Sequence, residues 1–217
     1  MDIGTLTIVA AGLAAFSLVA WYRVVTRRAD VDGRGLRAAG AWALSILALI
    51  AGYVEVAHHQ RQQLATEALQ VLSLVPGISA DCERFTEELF NLNQWQGYVY
   101  YDGSNVAHLR RNICHDLWHY AHGDQANPTD GEIMAVHVVG HETMHVNGIV
   151  DESTAECMAV QLNHFIAEEL GATPQEAREL QRRYFEDFYP YQRDYYITSE
   201  CREGGELDLY PDRTEFP

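Results

Sequence analysis

The segment His141-Glu142-Thr143-Met144-His145 (HETMH) combines metal-ligating residues with a potential general base. Residues four apart on an α-helix share one face, so His141 and His145 can direct imidazole nitrogens at one ion. Glu142 follows the first histidine and can reach a water molecule at that ion without binding the ion itself. Two histidine ligands, an open coordination position and a nearby carboxylate are what a zinc hydrolase requires. The spacing therefore predicts a Zn²⁺ site with Glu142 as general base.

A catalytic zinc ion usually has a third protein ligand, and three acidic residues follow the HETMH segment closely. Asp151 occupies the last position of an HExxHxxGxxD pattern, which also requires a methionine-bearing turn. The nearby methionine, Met158, falls inside a predicted helix, so we interpret Asp151 as the N-cap of that helix. We rank Glu152 first as third ligand and Glu156 second. If Glu152 is the ligand, Glu156 one turn later could orient a histidine by hydrogen bonding.

Other histidines and several tyrosines lie close to this segment in the sequence. His137 stands one turn before His141 on the same face, and we predict a supporting or packing role, because a fourth protein ligand would close the site. We interpret His115, His119 and His122 as polar positions of an exposed helix, with His122 the one that could line a cleft. A group of tyrosines could supply oxyanion donors, but we interpret them as core or rim aromatics: Tyr184, Tyr189, Tyr191, Tyr195 and Tyr196.

The elements that must position these residues are mostly helical. Thr129 or Asp130 can cap the helix that carries HETMH, and Gly148 ends it. We expect further helices over residues 112–120, 152–170 and 174–189.

Ahead of these helices the pattern changes to that of a hairpin. Aromatic and β-branched residues at 98–101 and 106–109 flank an Asp-Gly pair, which predicts two antiparallel strands. Residues 80–92 place Phe85, Leu89 and Leu92 at helical spacing and predict an amphipathic helix.

The N-terminal part of the chain has the pattern of two membrane spans. Residues 3–22 contain no charged residue, and Glu55 is the one charged residue among residues 38–57. Each segment could therefore cross a bilayer core. The five arginines between them indicate a cytoplasmic loop. A cleaved signal peptide fits less well, because signal peptides usually begin with basic residues and this chain has Asp2 there. We predict a transmembrane helix over 1–22, a basic cytoplasmic loop over 23–37, a second transmembrane helix over 38–57 and an extracytoplasmic domain over 58–217.

This topology places the N-terminus and the C-terminal domain outside a cell membrane that the chain crosses twice. A helix over 58–74 continues from the second span and ends before Pro76-Gly77. Residues 58–217 hold ten arginines, no lysine and 27 acidic residues, a net charge of −17. That charge excludes nucleic acid as a partner and indicates a soluble outer surface.

Four cysteines all lie in the outer part of the chain: Cys82, Cys114, Cys157 and Cys201. An even number in an oxidising compartment predicts two disulfides, with three pairings open. A structural zinc site made of these cysteines is less favoured, because no pair has CxxC spacing.

The segment over residues 98–161 resembles the gluzincin metallopeptidases, in particular the compact minigluzincins. A hairpin, a helix and the HExxH helix are followed by ExxAE at 152–156, which is similar to the motif of membrane-embedded prenyl-protein and heat-shock metalloproteases. The layout also resembles uncharacterised two-span actinobacterial proteins with an HExxH outer domain. The resemblance implies one Zn²⁺ bound by His141, His145 and a glutamate, with Glu142 polarising the attacking water. It also implies that an edge strand, here residues 106–109, binds the substrate backbone.

The sequence departs from the membrane gluzincins in one respect, because its link from His145 to Glu152 is much shorter. Taken together, the pattern predicts a mostly helical α+β protein: two transmembrane helices, then a compact zincin-like domain with a small β-hairpin or sheet and the HExxH helix. We expect a membrane-anchored zinc metallopeptidase that acts on a protein or peptide substrate. The alternative is a catalytically inactive zincin-fold module serving as sensor or assembly factor. A closed four-ligand site that includes His137 would favour that alternative.

Overall fold

The structure is a computed structural model that describes residues 4–26, 31–88, 95–213 and 215–217. The chain divides into two compact units, Met1–Gln60 and Arg61–Pro217. Helices dominate the described residues, and one small three-stranded sheet accompanies them. The predicted mostly helical α+β class is therefore confirmed.

The first unit contains helix α1 (Thr5–Thr26) and most of helix α2 (Val31–Gln70). By length and composition, Leu6–Thr26 and Gly35–Gln70 could each cross a membrane. Both helices expose large apolar side chains, which favours a lipid environment over water. Together with the two disulfides described below, these helices indicate a membrane or extracellular protein.

Polar side chains connect α1 and α2 inside the first unit. Ser17 Oγ lies 2.7 Å from Ser45 Oγ, and Trp21 Nε1 donates to the same serine oxygen at 3.1 Å. Thr7 Oγ1 donates to Glu55 Oε1 at 2.5 Å. Such bonds between neighbouring helices satisfy polar groups that an apolar surrounding would leave without partners.

The helices extend further than the predicted spans. α1 continues to Thr26 and α2 begins at Val31, so the predicted loop over 23–37 is shortened from both sides. Arginine has a high helix propensity, and the basic residues at the loop ends therefore continue the helices. Residues 27–30 of that loop lie outside the described residues. At its other end α2 stops at Gln70, close to the predicted end.

The sheet of the second unit consists of β1 (Ser79–Cys82), β2 (Gly97–Val99) and β3 (Val106–Leu109), in the order β1-β3-β2. β2 and β3 are antiparallel, as the hairpin prediction requires, and Tyr98 is opposite His108. β3 also pairs with β1 in parallel and is therefore the central strand. The prediction that residues 106–109 form the substrate-binding edge was wrong, and β2 is the edge strand on that side.

The prediction of a helix over residues 80–92 was also wrong for most of the segment that the structure describes. Ala80 and Cys82 are buried on alternate positions of β1, which is strand periodicity, and Cys82 is tied to Cys114. A short helix, α3 (Phe85–Glu88), follows, and residues 89–94 lie outside the described part.

Four helices form the rest of the second unit: α4 (Arg111–His122), α5 (Asp130–Val146), α6 (Glu152–Glu169) and α7 (Pro174–Asp187). A short 3₁₀ helix follows at Tyr189–Tyr191. α5 is buried on nearly every side, because α4, α6, α7 and the sheet all pack against it. The HETMH segment therefore lies in the core of this unit.

Local sequence signals fix both ends of the helices that carry the site. Thr129 and Glu132 form a capping box at the start of α5, and Gly148, with φ of 95°, follows its end. Asp151 caps α6 by accepting the Thr154 amide at 2.8 Å, as predicted. Thr173 begins α7 in a second capping box.

Two disulfides are present, which confirms the prediction and selects one of the three pairings. Cys82–Cys114 joins β1 to α4. Cys157–Cys201 joins α6 to the C-terminal segment that follows α7. Each closes a loop of more than thirty residues and restricts the unfolded chain.

His164 is a buried titratable residue outside the site. Its side chain is fully buried in α6, and its Nδ1 accepts a hydrogen bond from Gln181 Nε2 at 3.1 Å. Burial, with Arg178 and Arg213 nearby, lowers the pKa of His164 to about 4. The folded protein therefore holds this imidazole neutral.

We expect His164 to destabilise the fold as the pH falls. Its folded pKa lies below the unfolded value of about 6.5, so the unfolded chain binds more protons between these two pH values. The free energy of unfolding should decrease by about 1–2 kcal/mol between pH 7 and pH 5 from this residue alone. Thermal unfolding of wild type and His164→Asn at both pH values measures the effect. The prediction would be contradicted if the Tm of the wild type fell no more between pH 7 and pH 5 than the Tm of the variant.

Candidate metal centre

His141, His145 and Glu152 bring three ligand atoms together at the end of α5. The two Nε2 atoms are 3.0 Å apart, and each lies 3.1 Å from Glu152 Oε2. Ligand atoms of tetrahedral zinc, with bonds of 2.0–2.2 Å, are about 3.3–3.6 Å apart. The short link after Gly148 turns α6 back so that its first residue faces both histidines. This group could hold one metal ion.

The second nitrogen of each histidine lies within 3.0 Å of a further polar atom. His145 Nδ1 donates to the Ile149 carbonyl oxygen at 2.7 Å, which leaves Nε2 of that ring as the unprotonated nitrogen. The Tyr101 hydroxyl is 3.0 Å from the same Nδ1. His141 Nδ1 lies 2.9 Å from Glu156 Oε2. Both Nε2 atoms thus face Glu152.

Glu156 lies behind the three ligand atoms in a buried group. Its Oε2 accepts from His137 Nε2 at 2.9 Å, and its Oε1 accepts from the Tyr184 hydroxyl at 2.6 Å. Burial alone would raise the pKa of Glu156, but His137 and His141 outweigh burial and hold that pKa far below its usual value. Glu156 is therefore ionised. His137, His141 and Glu156 also make up a second group of atoms close enough to hold a cation.

The carboxylates give the site a negative potential. Burial lowers the pKa of His141, but Glu152 and Glu156 reverse this effect and raise it to about 10. Three glutamates thus surround two histidines whose neutral forms would be metal ligands. A divalent cation would balance this charge, which supports the metal-binding interpretation.

Glu142 is buried beside these residues without a full set of partners. Its side chain is 4% exposed, and Oε2 has no hydrogen-bond partner among the described residues. Burial raises the pKa of Glu142 to about 7, with His141 opposing and Glu152 adding to the shift. A carboxyl group with a pKa near neutrality can both accept and return a proton.

A cleft of about 150 Å³ opens onto Glu142 and His141. Val138 and Met134 of α5 contribute apolar lining, together with Trp95 and Gly97. The C-terminal segment also lines the cleft, and its Tyr196 ring is 5.5 Å from that of His141. Burial, Tyr195 and nearby carboxylates raise the pKa of Tyr196, so its hydroxyl remains a donor.

The other tyrosines divide between core and rim. Tyr184 and Tyr189 are buried, Tyr191 and Tyr195 are exposed, and Tyr195 lines the cleft together with Tyr184. This distribution matches the interpretation made from the sequence, with Tyr196 the one that faces His141.

The second histidine group lies apart from the site. His115 and His119 place their Nε2 atoms 3.3 Å apart on α4, where His119 is exposed and His115 is partly exposed. His122 stacks on Trp118 and is not among the residues that line the cleft. The suggestion that His122 faces the cleft was therefore wrong.

Sequence reasoning missed Gly97, which closely approaches Glu142, and it missed the contact of Tyr184 with Glu156. A Cβ atom added to Gly97 would lie 2.6 Å from Glu142 Oε1 and 2.8 Å from Glu142 Cδ. A glycine at the start of a strand indicates a close backbone approach, which is the signal that could have identified it.

We expect Gly97→Ala to displace the Glu142 side chain and to slow any reaction that uses Glu142 as a base by roughly 10- to 100-fold, since shifts near 1 Å can have such effects. Gly140→Ala is the matched control, because its Cβ would meet Ile166 Cδ1 at an ordinary 3.5 Å. Gly140 precedes His141 within a helix, so alanine there should preserve activity and stability. Initial rates of both variants measure the difference. Equal activity of the two variants would contradict the proposed contact.

The chain matches no protein-family model, no curated protein and no solved structure. Functional assignment therefore rests on the geometry of the site.

Proposed function

We propose that this protein is a membrane-anchored zinc metallopeptidase. The observation that carries the proposal is the cluster of three ligand atoms 3.0–3.1 Å apart beside the buried carboxyl group of Glu142. Two imidazoles and one carboxylate make up the donor set of several catalytic zinc sites. The adjoining cleft gives a substrate access to Glu142.

Glu152 is the better choice for third ligand. Its Oε2 is equidistant from both Nε2 atoms, whereas Glu156 contacts the opposite nitrogen of His141. Both Glu156 oxygens already accept hydrogen bonds. When bound, a zinc ion supplies Lewis acidity that polarises a carbonyl oxygen and lowers the pKa of water.

The residues of the chain supply proton transfer and substrate binding. Glu142 accepts a proton from water as the water oxygen attacks the peptide carbonyl carbon. Glu142 then returns this proton to the leaving nitrogen, and the C–N bond breaks to give an amine and a carboxylic acid, whose proton passes to solvent. Tyr196 can donate a hydrogen bond to the negative oxygen of the tetrahedral intermediate. The β2 edge can bind the substrate backbone by strand addition.

The proposed location is the outer face of a cell membrane. The arginine-rich link between the two apolar helices favours a cytoplasmic loop, so residues 58–217 would lie outside. Two disulfides fit that compartment. The substrate would be a protein or peptide at the cell surface.

The inactive-module alternative receives less support. A closed four-ligand site would require His137 near the three ligand atoms, but His137 Nε2 instead donates to Glu156. A metal ion held by these three atoms would therefore keep a position for water or substrate.

Metal analysis and a peptidase assay of the detergent-solubilised full chain test the proposal. We expect one zinc ion per chain and cleavage of an unfolded protein such as casein, lost with a chelator and restored by Zn²⁺. Folded protein that binds no zinc would overturn the metal site. Zinc binding without cleavage of any member of a broad peptide library would favour the inactive module.

A further inference from the structure

A chain of polar contacts connects the C-terminal segment with His141. Gln192 Nε2 donates to the Tyr184 hydroxyl at 3.0 Å, and that hydroxyl donates to Glu156 Oε1 at 2.6 Å. The other Glu156 oxygen lies 2.9 Å from His141 Nδ1. The contacts thus begin in the segment after α7 and end on a proposed metal ligand.

The direction of each hydrogen bond follows from the groups involved. An ionised carboxylate has no hydrogen, so Tyr184 must donate to Glu156, and its oxygen can then accept from Gln192. Tyr184 is fully buried, and its ring stacks on His137 with centroids 3.5 Å apart. Tyr184 therefore restrains Glu156 through its hydroxyl and His137 through its ring.

Both Glu156 oxygens have polar partners, and this holds the carboxylate in a single orientation. Oε1 accepts from Tyr184, and Oε2 faces His137 and His141. Without the Tyr184 hydroxyl, a buried carboxylate oxygen would lose its partner, and rotation of Glu156 would relieve that loss. Rotation would move Oε2 away from His141.

We propose that Tyr184, supported by Gln192, is a positioning residue that sets metal affinity by holding Glu156 against His141. The C-terminal segment would thereby be coupled to the metal site. The Cys157–Cys201 disulfide anchors that segment to α6 at the residue next to Glu156. This inference rests on the proposed metal site, but it concerns residues that do not contact the metal.

The test is zinc affinity of the full chain in detergent, measured by competition with a chromophoric chelator. Tyr184→Phe removes one hydroxyl and should weaken zinc binding by about 10-fold, the lower end of the effect of losing a direct partner of a metal ligand, because Tyr184 acts on His141 only through Glu156. Gln192→Ala should cause a smaller loss. Tyr189→Phe is the control, because Tyr189 is buried in the same region but its hydroxyl hydrogen-bonds to the Thr198 backbone and not to the Glu156 carboxylate.

Two further measurements separate positioning from general destabilisation. The visible spectrum of the Co²⁺-substituted protein should change in Tyr184→Phe and not in Tyr189→Phe, whereas both variants should lower the Tm of the metal-free protein. Equal zinc affinity in Tyr184→Phe, Gln192→Ala and wild type would overturn this inference and leave the proposed function intact. Absence of zinc binding by folded wild type would overturn both.

Discussion

Replacing Glu142 by glutamine is expected to reduce peptide hydrolysis by about 10²- to 10⁴-fold, the usual contribution of a general base. Glutamine has nearly the same shape but cannot accept the proton of the attacking water. The Glu142 side chain does not contribute to the three-atom cluster of His141, His145 and Glu152, so zinc content should remain unchanged. Rates and metal content of the purified full-length variant measure both effects.

Two comparisons make the Glu142→Gln result specific. Glu169→Gln, at the exposed end of α6, removes the same charge far along the helix from the site and should retain full activity. The Tm of Glu142→Gln should not fall, because burial penalises the carboxylate that it replaces. Hydrolysis at the wild-type rate by Glu142→Gln would exclude Glu142 as the base.

The predictions that succeeded depend on interactions within a few residues. The capping residues Thr129, Asp151 and Thr173 act on amides within their own first turn, and the sequence therefore located these helix starts. The i, i+4 spacing of His141 and His145 likewise follows from helix geometry alone. The proximity of Glu152 followed from the short link after Gly148.

The predictions that failed depend on partners far away in the sequence. Residues 79–82 form a strand because they pair with β3 and because Cys82 bonds to Cys114, and neither partner is visible in local periodicity. The central position of β3 has the same origin. Tyr184 reaches Glu156 across 28 residues, so its role could be recognised only after α6 and α7 had been packed together.

The roles of Glu152 and Glu156 can be separated by making the same substitution at each position. Glu152→Gln should weaken zinc binding by more than the roughly 10- to 100-fold that loss of an outer partner causes, because it removes a proposed ligand. Glu156→Gln should remain within that range, because His141 Nε2 and the other ligand atoms stay in place. Zinc competition titrations of both full-length variants measure the two affinities.

The two substitutions should also affect the metal-free protein differently. Glu156 is 3% exposed and accepts from two buried donors, His137 and Tyr184, so an amide there would face mismatched hydrogen bonds and lower the Tm. Glu152 is partly exposed, so its loss should lower the Tm of the metal-free chain by less than the loss of the buried Glu156 carboxylate. Glu152→Gln should therefore show the larger fall in zinc affinity and the smaller fall in stability. If Glu156→Gln instead loses zinc more completely than Glu152→Gln, the ligand assignment must be exchanged between the two residues.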